Sequence, residues 1–258
     1  MPNEVDETDE RGRAGLFQTT HWTEIFSAGA GDDPQGQEAL AALLKRYWKA
    51  VFCYLRYRGY ETEEAKDLTQ GFFQEVVLGR ALIERADRAR GRFRTFLLRS
   101  LDRYVTSIHR TEIAKRRMPK GGLVSLEEVD WLSVTEPVQD TTPVEVFDYT
   151  WACALLDQVL AELEGKCRET GTDTHWELFR ERILAPIMES TEAPPLNQLC
   201  KRYRIEKKAR VSHILLTVKR RFQAILRRQV RQLVDSDDEV DDEIRYLMKL
   251  FSGSGASS

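Results

Sequence analysis

Apolar residues that recur at helical spacing constrain this chain more than any other feature of its sequence. The clearest run lies within 40–55 and continues for four helical turns. Similar runs follow at 68–77, 93–108, 146–163 and 211–225, and no stretch has a convincing strand pattern. The sequence therefore predicts an all-α protein.

A break in this pattern divides the chain into two helical halves. Met118-Pro119-Lys120-Gly121-Gly122 and two later prolines indicate a linker at 118–145. We therefore expect two helical domains joined by a flexible linker. The expected order is an acidic tail with a short helix at 1–36, a helical bundle at 37–117, the linker, a second domain at 146–234 and an acidic extension at 235–258.

Segregated charge indicates the kind of partner, although the formal net charge is only −3. Residues 88–117, the first basic block, hold ten Lys and Arg against two Asp and Glu. Residues 201–231, the second basic block, hold twelve against one, and 235–243 hold seven acids and no base. Two basic blocks on helices favour nucleic acid as partner, although basic helix faces are often merely solvated.

Cysteine and histidine spacing argues against a metal site or a disulfide framework. The four cysteines and four histidines are scattered, without a CxxC or HExxH pair. We therefore expect no metal and no cofactor. Acidic residues within 1–20, and the lack of a run of ~20 apolar residues, favour a cytoplasmic protein without a membrane anchor.

The second basic block has the outline of a helix-turn-helix. A short helix at 196–203, a tight connection at 204–206 and a longer helix from about 207 to 234 are expected. The inward seam of the longer helix is Val211, Leu215, Val218, Phe222 and Ile225. A recognition helix meets base edges near its N-terminal end, where the candidate DNA contacts are Lys207, Lys208, Arg210, Ser212 and His213. A plain helical hairpin with a solvated basic face is the alternative.

The first basic block interleaves aromatic residues with arginines. Aromatic rings can stack on unpaired bases while arginines hold the backbone, which suits single-stranded DNA. Aromatic residues at helical spacing are more often core residues, and we expect Phe93 and Leu97 to be buried. The sequence does not decide whether Phe96 and Tyr104 lie in the core or on the surface.

Residues 67–77, DLTQGFFQEVV, combine an apolar face with a polar one. Leu68 and Phe72 belong to the expected buried face. Asp67, Gln70 and Gln74 follow at i, i+3 and i+7, which places them on one outward face. Gly71 costs a helix about 1 kcal/mol relative to Ala, and it leaves room for a close approach.

The order of these segments resembles that of sigma-70 family factors. EAKDLTQGFFQEVV resembles the region-2 helix of the family, and GRFRTFLLRSLDRY resembles the segment that follows it. The helix-turn-helix corresponds to region 4. Two domains joined by a linker are typical of the extracytoplasmic-function (ECF) group. The matching positions of the first segment are Ala65, Asp67, Leu68, Gln70 and Phe73.

This resemblance implies a non-catalytic subunit that binds core RNA polymerase, recognises promoter DNA and helps to open it. The implied polymerase contacts are the clamp of the largest subunit and the flap of the second-largest subunit. For the clamp the resemblance implies Asp67, Gln70 and Gln74. For the minus-ten strand it implies Arg94, Phe96, Arg99, Arg103 and Tyr104, and for the upstream element the five candidates of the helix-turn-helix.

Two other classes stay open. A stand-alone helix-turn-helix regulator would use the N-terminal half for dimerisation or ligand binding, although a polar stripe disfavours a dimer seam. A nucleic-acid enzyme would need acid pairs such as Glu63 and Asp67 to hold Mg²⁺ amid dense positive charge. The sequence also leaves open whether an anti-sigma protein or the acidic extension regulates such a factor. If the extension does, removing the residues after Val234 should raise DNA affinity at low salt.

Overall fold

The computed structural model describes residues 34–77, 92–114, 142–234 and 236–253, in part of which only the backbone is described. These residues form helices and connections without a strand, which confirms the all-α prediction. The helices are α1 (Pro34–Tyr57), α2 (Thr62–Gly71), α3 (Phe93–Ala114), α4 (Pro143–Glu169), α5 (Asp173–Phe179), α6 (Ala185–Met188), α7 (Leu196–Arg202), α8 (Lys208–Arg231) and α9 (Asp237–Gly253). A π-helical segment extends α2 over Phe72–Val77, and another joins α5 to α6 over Arg180–Leu184.

Helix α1 lies at the centre of the fold because its second half is apolar around the whole circumference. All six residues from Ala50 to Leu55 are buried, as expected for a helix enclosed on every side. The helix packs along α4. Tyr47 joins it to two other helices, since its ring lies 4.9 Å from that of Phe93 in α3 and 6.3 Å from that of Trp151 in α4. The facing seam of α4 is Trp151, Leu155, Val159, Leu163 and Cys167.

The described residues of the two halves share one hydrophobic core. A buried arginine reinforces this packing, because the Nε of Arg46 donates to Gln158 of α4 at 2.7 Å and its Nη2 donates to Gln229 of α8 at 2.6 Å. Burial lowers the pKa of the Arg46 guanidinium. Most of the expected linker, 115–141, and the expected N-terminal short helix lie outside the described residues. The division into two domains joined by a flexible linker therefore stays a prediction.

Helix α4 is longer than the run at 146–163 that the helical spacing predicts. Thr142 caps it, with its Oγ1 accepting from the Glu145 amide at 3.3 Å and its own amide donating to the Glu145 carboxylate at 2.8 Å. A capping box with a proline in the first turn is a strong helix start, so Pro143 opens α4 instead of belonging to the linker. The helix also continues beyond residue 163, through Gly165, to Glu169.

Gly71 is explained by the close approach of α3 to the end of α2. A Cβ at this position would overlap the hydroxyl oxygen of Tyr104. The Tyr104 ring also packs against Phe72, with ring centroids 5.7 Å apart. Leu68 and Phe72 are buried, as predicted. The glycine therefore contributes a contact between helices rather than an opening for a partner.

Candidate nucleic-acid interface

Helices α7 and α8 have the helix-turn-helix outline, close to the predicted bounds. Helix α7 ends in a Schellman motif, in which the Ile205 amide donates to the Cys200 carbonyl at 2.9 Å and the Arg204 amide to the Lys201 carbonyl at 3.4 Å. Arg204 has φ of 53°, a conformation usually taken by glycine. The chain then enters α8 through Lys207, whose backbone is extended. The motif fixes the direction in which α8 leaves the turn.

Helix α8 has a buried face and an exposed basic face. The buried residues are Val211, Ile214, Leu215, Val218, Ile225 and Val230, and Phe222 is half-buried. The side chains that the sequence predicts as DNA contacts are all exposed: Lys207, Lys208, Arg210, Ser212 and His213. Lys219 and Arg220 are exposed further along the helix. These seven residues are the open basic face, and within the described residues no ion pair joins them to an acid.

Helix α5 packs against α8 and brings a histidine close to its arginines. Burial lowers the pKa of His175, and electrostatic repulsion from the neighbouring Arg221, Arg210 and His213 side chains lowers it further. His175 therefore favours the neutral form at neutral pH. The positive potential at this end of α8 comes from arginine and lysine and does not depend on His175 being protonated.

The last turns of α8 differ from the open basic face, because their arginines are engaged by other helices. Arg228 pairs with Glu162 of α4, and Arg227 pairs with Asp241 of α9. Arg231 also faces α9, with its Nε 2.5 Å from an oxygen of Asp237. The basic surface of α8 is thus open toward its N-terminal end and occupied toward its C-terminal end.

The structure places Arg94 in the protein interior, with only 7 % of its surface exposed. Its Nε lies 3.3 Å from Asp148 of α4, and its Nη1 pairs with Glu243 of α9. The guanidinium also lies over the rings of Tyr246 and Trp151, at 4.3 and 5.1 Å from the ring centroids. Burial lowers the pKa of Arg94, and the charge of Asp148 opposes that shift. A DNA strand therefore cannot reach Arg94 while α9 is in place.

Two aromatic candidates of the first basic block also face inward. Tyr104 is buried against Gly71, and Phe96 is half-buried beside Phe93 at 6.5 Å between ring centroids. Arg99 and Arg103 are exposed. Of the five minus-ten candidates, the described surface therefore offers these two arginines. Phe93 and Leu97 are buried, as predicted.

The candidate polymerase contacts lie on α2 and its π-helical extension. Asp67 is exposed, whereas Gln70 and Gln74 are half-buried. Thr69, which lies between Asp67 and Gln70 in sequence, is buried, and its hydroxyl donates to the Ala65 carbonyl at 2.6 Å. Because Gln74 lies in the wider π segment, the three side chains do not form a plain α-helical stripe. Asp67 is the most accessible of the three.

Helix α9 lies within the expected acidic extension and includes most of the acidic run at 235–243. Its docking against other helices was not among the expectations from the sequence. Glu243 is 1 % exposed and pairs with both Arg94 and Arg92, the latter at 3.0 Å. Tyr246 donates to Asp148 at 2.5 Å, and burial together with that carboxylate raises the pKa of Tyr246 to about 12.

A signal for this docking was present in the sequence. Val240, Glu243 and Leu247 follow at i, i+3 and i+7, which puts one carboxylate on an apolar helical stripe. Val240 and Leu247 are buried on either side of Glu243 in the structure. A lone acid buried on such a stripe needs a cation or hydrogen-bond donors as partners.

In the described ranges, no group of three or more His, Cys, Asp or Glu side chains could hold a metal ion. None of the described helices is long and apolar enough to span a bilayer. No protein-family model, curated protein or solved structure matches the chain.

Proposed function

We propose that this protein is a sigma-type initiation factor, which binds core RNA polymerase and directs it to promoter DNA. The observation that carries the proposal is the open basic face of α8 within a helix-turn-helix outline. The resemblance of residues 64–77 and 91–104 to region 2 of sigma-70 family factors supports the polymerase part. Neither part requires a catalytic group, a metal or a cofactor.

In this proposal the N-terminal end of α8 enters the major groove of the upstream promoter element. Lys208, Arg210 and His213 are exposed there and reach base edges, as in other recognition helices. Lys219 and Arg220 contact phosphates, which fix the position of the helix without reading sequence. The rigid seam beneath this face holds the helix in register.

The N-terminal half would engage polymerase and the opened strand. Asp67, with Gln70 and Gln74 beside it, is the proposed contact with the clamp of the largest subunit. Arg99 and Arg103 are the proposed contacts with the minus-ten strand. The region-4-like part would contact the flap of the second-largest subunit.

A stand-alone DNA-binding regulator is the second candidate, and one observation favours it. Both halves of the chain pack into a single core, whereas a factor that spans two promoter elements must place its halves apart. Such a regulator would bind duplex DNA alone, and its N-terminal half would serve dimerisation or ligand binding.

The deciding experiment mixes purified protein with core RNA polymerase. We expect co-elution in size-exclusion chromatography, and transcripts from a library of promoter fragments that core polymerase alone does not produce. If the protein neither co-elutes nor supports transcripts, but binds duplex DNA by itself as a dimer, the stand-alone regulator becomes the better explanation. If a separate anti-sigma protein exists, adding it to this mixture should block the co-elution.

A matched pair of variants tests the polymerase contact. Asp67→Ala combined with Gln70→Ala should weaken polymerase affinity without changing thermal stability. Asp157→Ala, which removes an exposed acid from α4, is the control and should leave both unchanged. Lost stability in the α2 variant would instead assign these residues a structural role.

A further inference from the structure

Helix α9 places acidic side chains against arginines from two other helices. Two of these arginines lie at the start of α3 and two in the last turns of α8. The pairs are Glu243 with Arg92 and Arg94, Asp241 with Arg227, and Asp237 with Arg231. Each of the four arginines in this set faces a carboxylate of the same helix.

The start of α3 and the end of α8 lie side by side, and acidic side chains of α9 reach arginines of both segments. The Phe93 amide donates to the Leu233 carbonyl at 3.3 Å, which links the two segments directly. Helix α9 lies over this junction and also reaches α4, where Tyr246 donates to Asp148. We call the four arginines Arg92, Arg94, Arg227 and Arg231 the covered arginine surface.

The covered arginine surface has the chemistry of a phosphate-binding surface. A guanidinium binds carboxylates and phosphates through the same pattern of parallel donors. The carboxylates of α9 therefore occupy positions that backbone phosphates could take. Asp238 and Asp242 add negative charge on the exposed side of α9, which makes this helix resemble a short polyanion.

Helix α9 is bound to this surface more firmly at Glu243 than at its first turns. The pairs of Arg227 and Arg231 are solvent-exposed, with Asp241 and Asp237 exposed by 60 and 88 %, so salt and competing anions weaken them easily. Glu243 is buried and forms the firm part of the contact. Displacement would therefore begin at the first turns of α9, next to α8.

We propose that the covered arginine surface is a second binding surface for duplex DNA, which contacts the phosphate backbone and which α9 occupies as an intramolecular ligand. This inference rests on the proposed function in one respect, namely that DNA is the partner of α8. The open basic face is not covered by α9. The acidic helix therefore withholds backbone contacts and leaves the recognition end of α8 accessible.

The test compares two double variants of the full-length chain. Asp237→Asn with Asp241→Asn removes the two exposed acids that pair with α8. Asp238→Asn with Asp242→Asn removes the same charge at the same i, i+4 spacing, but Asp242 pairs with Arg245 inside α9, and Asp238 forms no ion pair with another described helix. Equal changes in net charge make the second variant a control for long-range electrostatics.

Affinity is measured by fluorescence anisotropy with a short duplex of arbitrary sequence, at low salt and without polymerase. The first variant should bind about three- to tenfold more tightly than the control variant. Equal affinities of the two variants would overturn the inference. The absence of duplex binding by all three proteins would also overturn it. Co-elution with polymerase tests the proposed function separately.

Hydrogen exchange in the unsubstituted protein provides the second readout. Binding of the duplex should speed exchange of the α9 amides, because DNA displaces that helix, while the α4 amides around Leu155 keep their protection. Unchanged exchange of α9 in the DNA-bound protein would also overturn the inference, since the surface would then remain covered.

Discussion

The two basic blocks have similar composition, but the fold uses their charges differently. In the first block Arg92 and Arg94 pair with Glu243, and Tyr104 packs inward against Gly71. In the second block the open basic face of α8 has no acid partner within the described residues. The comparison teaches that an internal acidic helix decides which arginines of a basic stretch are available to an external polyanion.

The largest expected effect tests whether Arg94 is structural. Arg94→Ala would leave the buried carboxylates of Asp148 and Glu243 without their shared cation, so it should lower the free energy of unfolding by about 3–5 kcal/mol. Arg220→Ala, on the open basic face, should change it by less than about 0.5 kcal/mol. Urea denaturation of both variants measures the contrast. Equal stability of the two would mean that the blocks do not differ in this way.

The next effect concerns the contact between α2 and α3. Gly71→Ala should destabilise the protein by about 1–3 kcal/mol, because the new methyl group overlaps the Tyr104 hydroxyl. The same substitution in a Tyr104→Phe background should cost much less, since the overlapping oxygen is gone. Thermal denaturation of the four proteins completes a double-mutant cycle. Strictly additive effects would contradict the inward placement of Tyr104.

A smaller effect is expected in DNA binding by the second block. Lys219→Ala with Arg220→Ala should weaken duplex binding and reduce the slope of log affinity against log salt by about 0.9 for each lost phosphate contact. Stability should not change, because both side chains are exposed. Lys45→Ala removes an exposed lysine from α1 and serves as the control. A salt slope that is the same in all three proteins would argue against α8 as the DNA-contacting helix.

The smallest expected effect is a pH dependence beside the open basic face. Because the pKa of folded His175 lies below its ordinary value of 6.5, the folded protein binds this proton less readily than the unfolded chain does. The corresponding stability is present above pH 6.5 and is lost as the pH falls through the folded pKa. His175→Gln should therefore reduce the loss of stability on acidification from neutral pH, as measured by urea denaturation. An equal loss of stability in the variant and in the unsubstituted protein would contradict His175 as the cause.

Much of the fold could be predicted from local patterns. The outline of α7 and α8, the exposed side of α8 and the burial of Phe93 and Leu97 follow from helical periodicity, which involves residues three or four positions apart. The start of α4 could also have been found, because Thr142-Pro143 and Glu145 form a local capping signal. Pro143 was misread because a proline marks either a break or a first turn.

The roles of Arg94, Tyr104 and Gly71 could not be read from local patterns. Each depends on a partner that is distant in sequence, either Glu243 and Asp148 for Arg94 or the approach of α3 to α2 for the other two. An aromatic or arginine at helical spacing is compatible with both the interior and the surface. The contact that decides between them forms only when the helices pack.

The sequence by itself determined that this chain is helical, where its helices alternate and where positive charge is concentrated, because backbone hydrogen bonding and amphipathic spacing act over a few residues. Tertiary structure alone decided which of those charges remain available. A guanidinium removed from water requires partners for its N–H groups. For Arg94 and Arg92 helix α9 supplies a carboxylate, while it leaves the recognition end of α8 in solvent. The difference between a core arginine and a candidate DNA contact therefore lies in the position of one acidic helix.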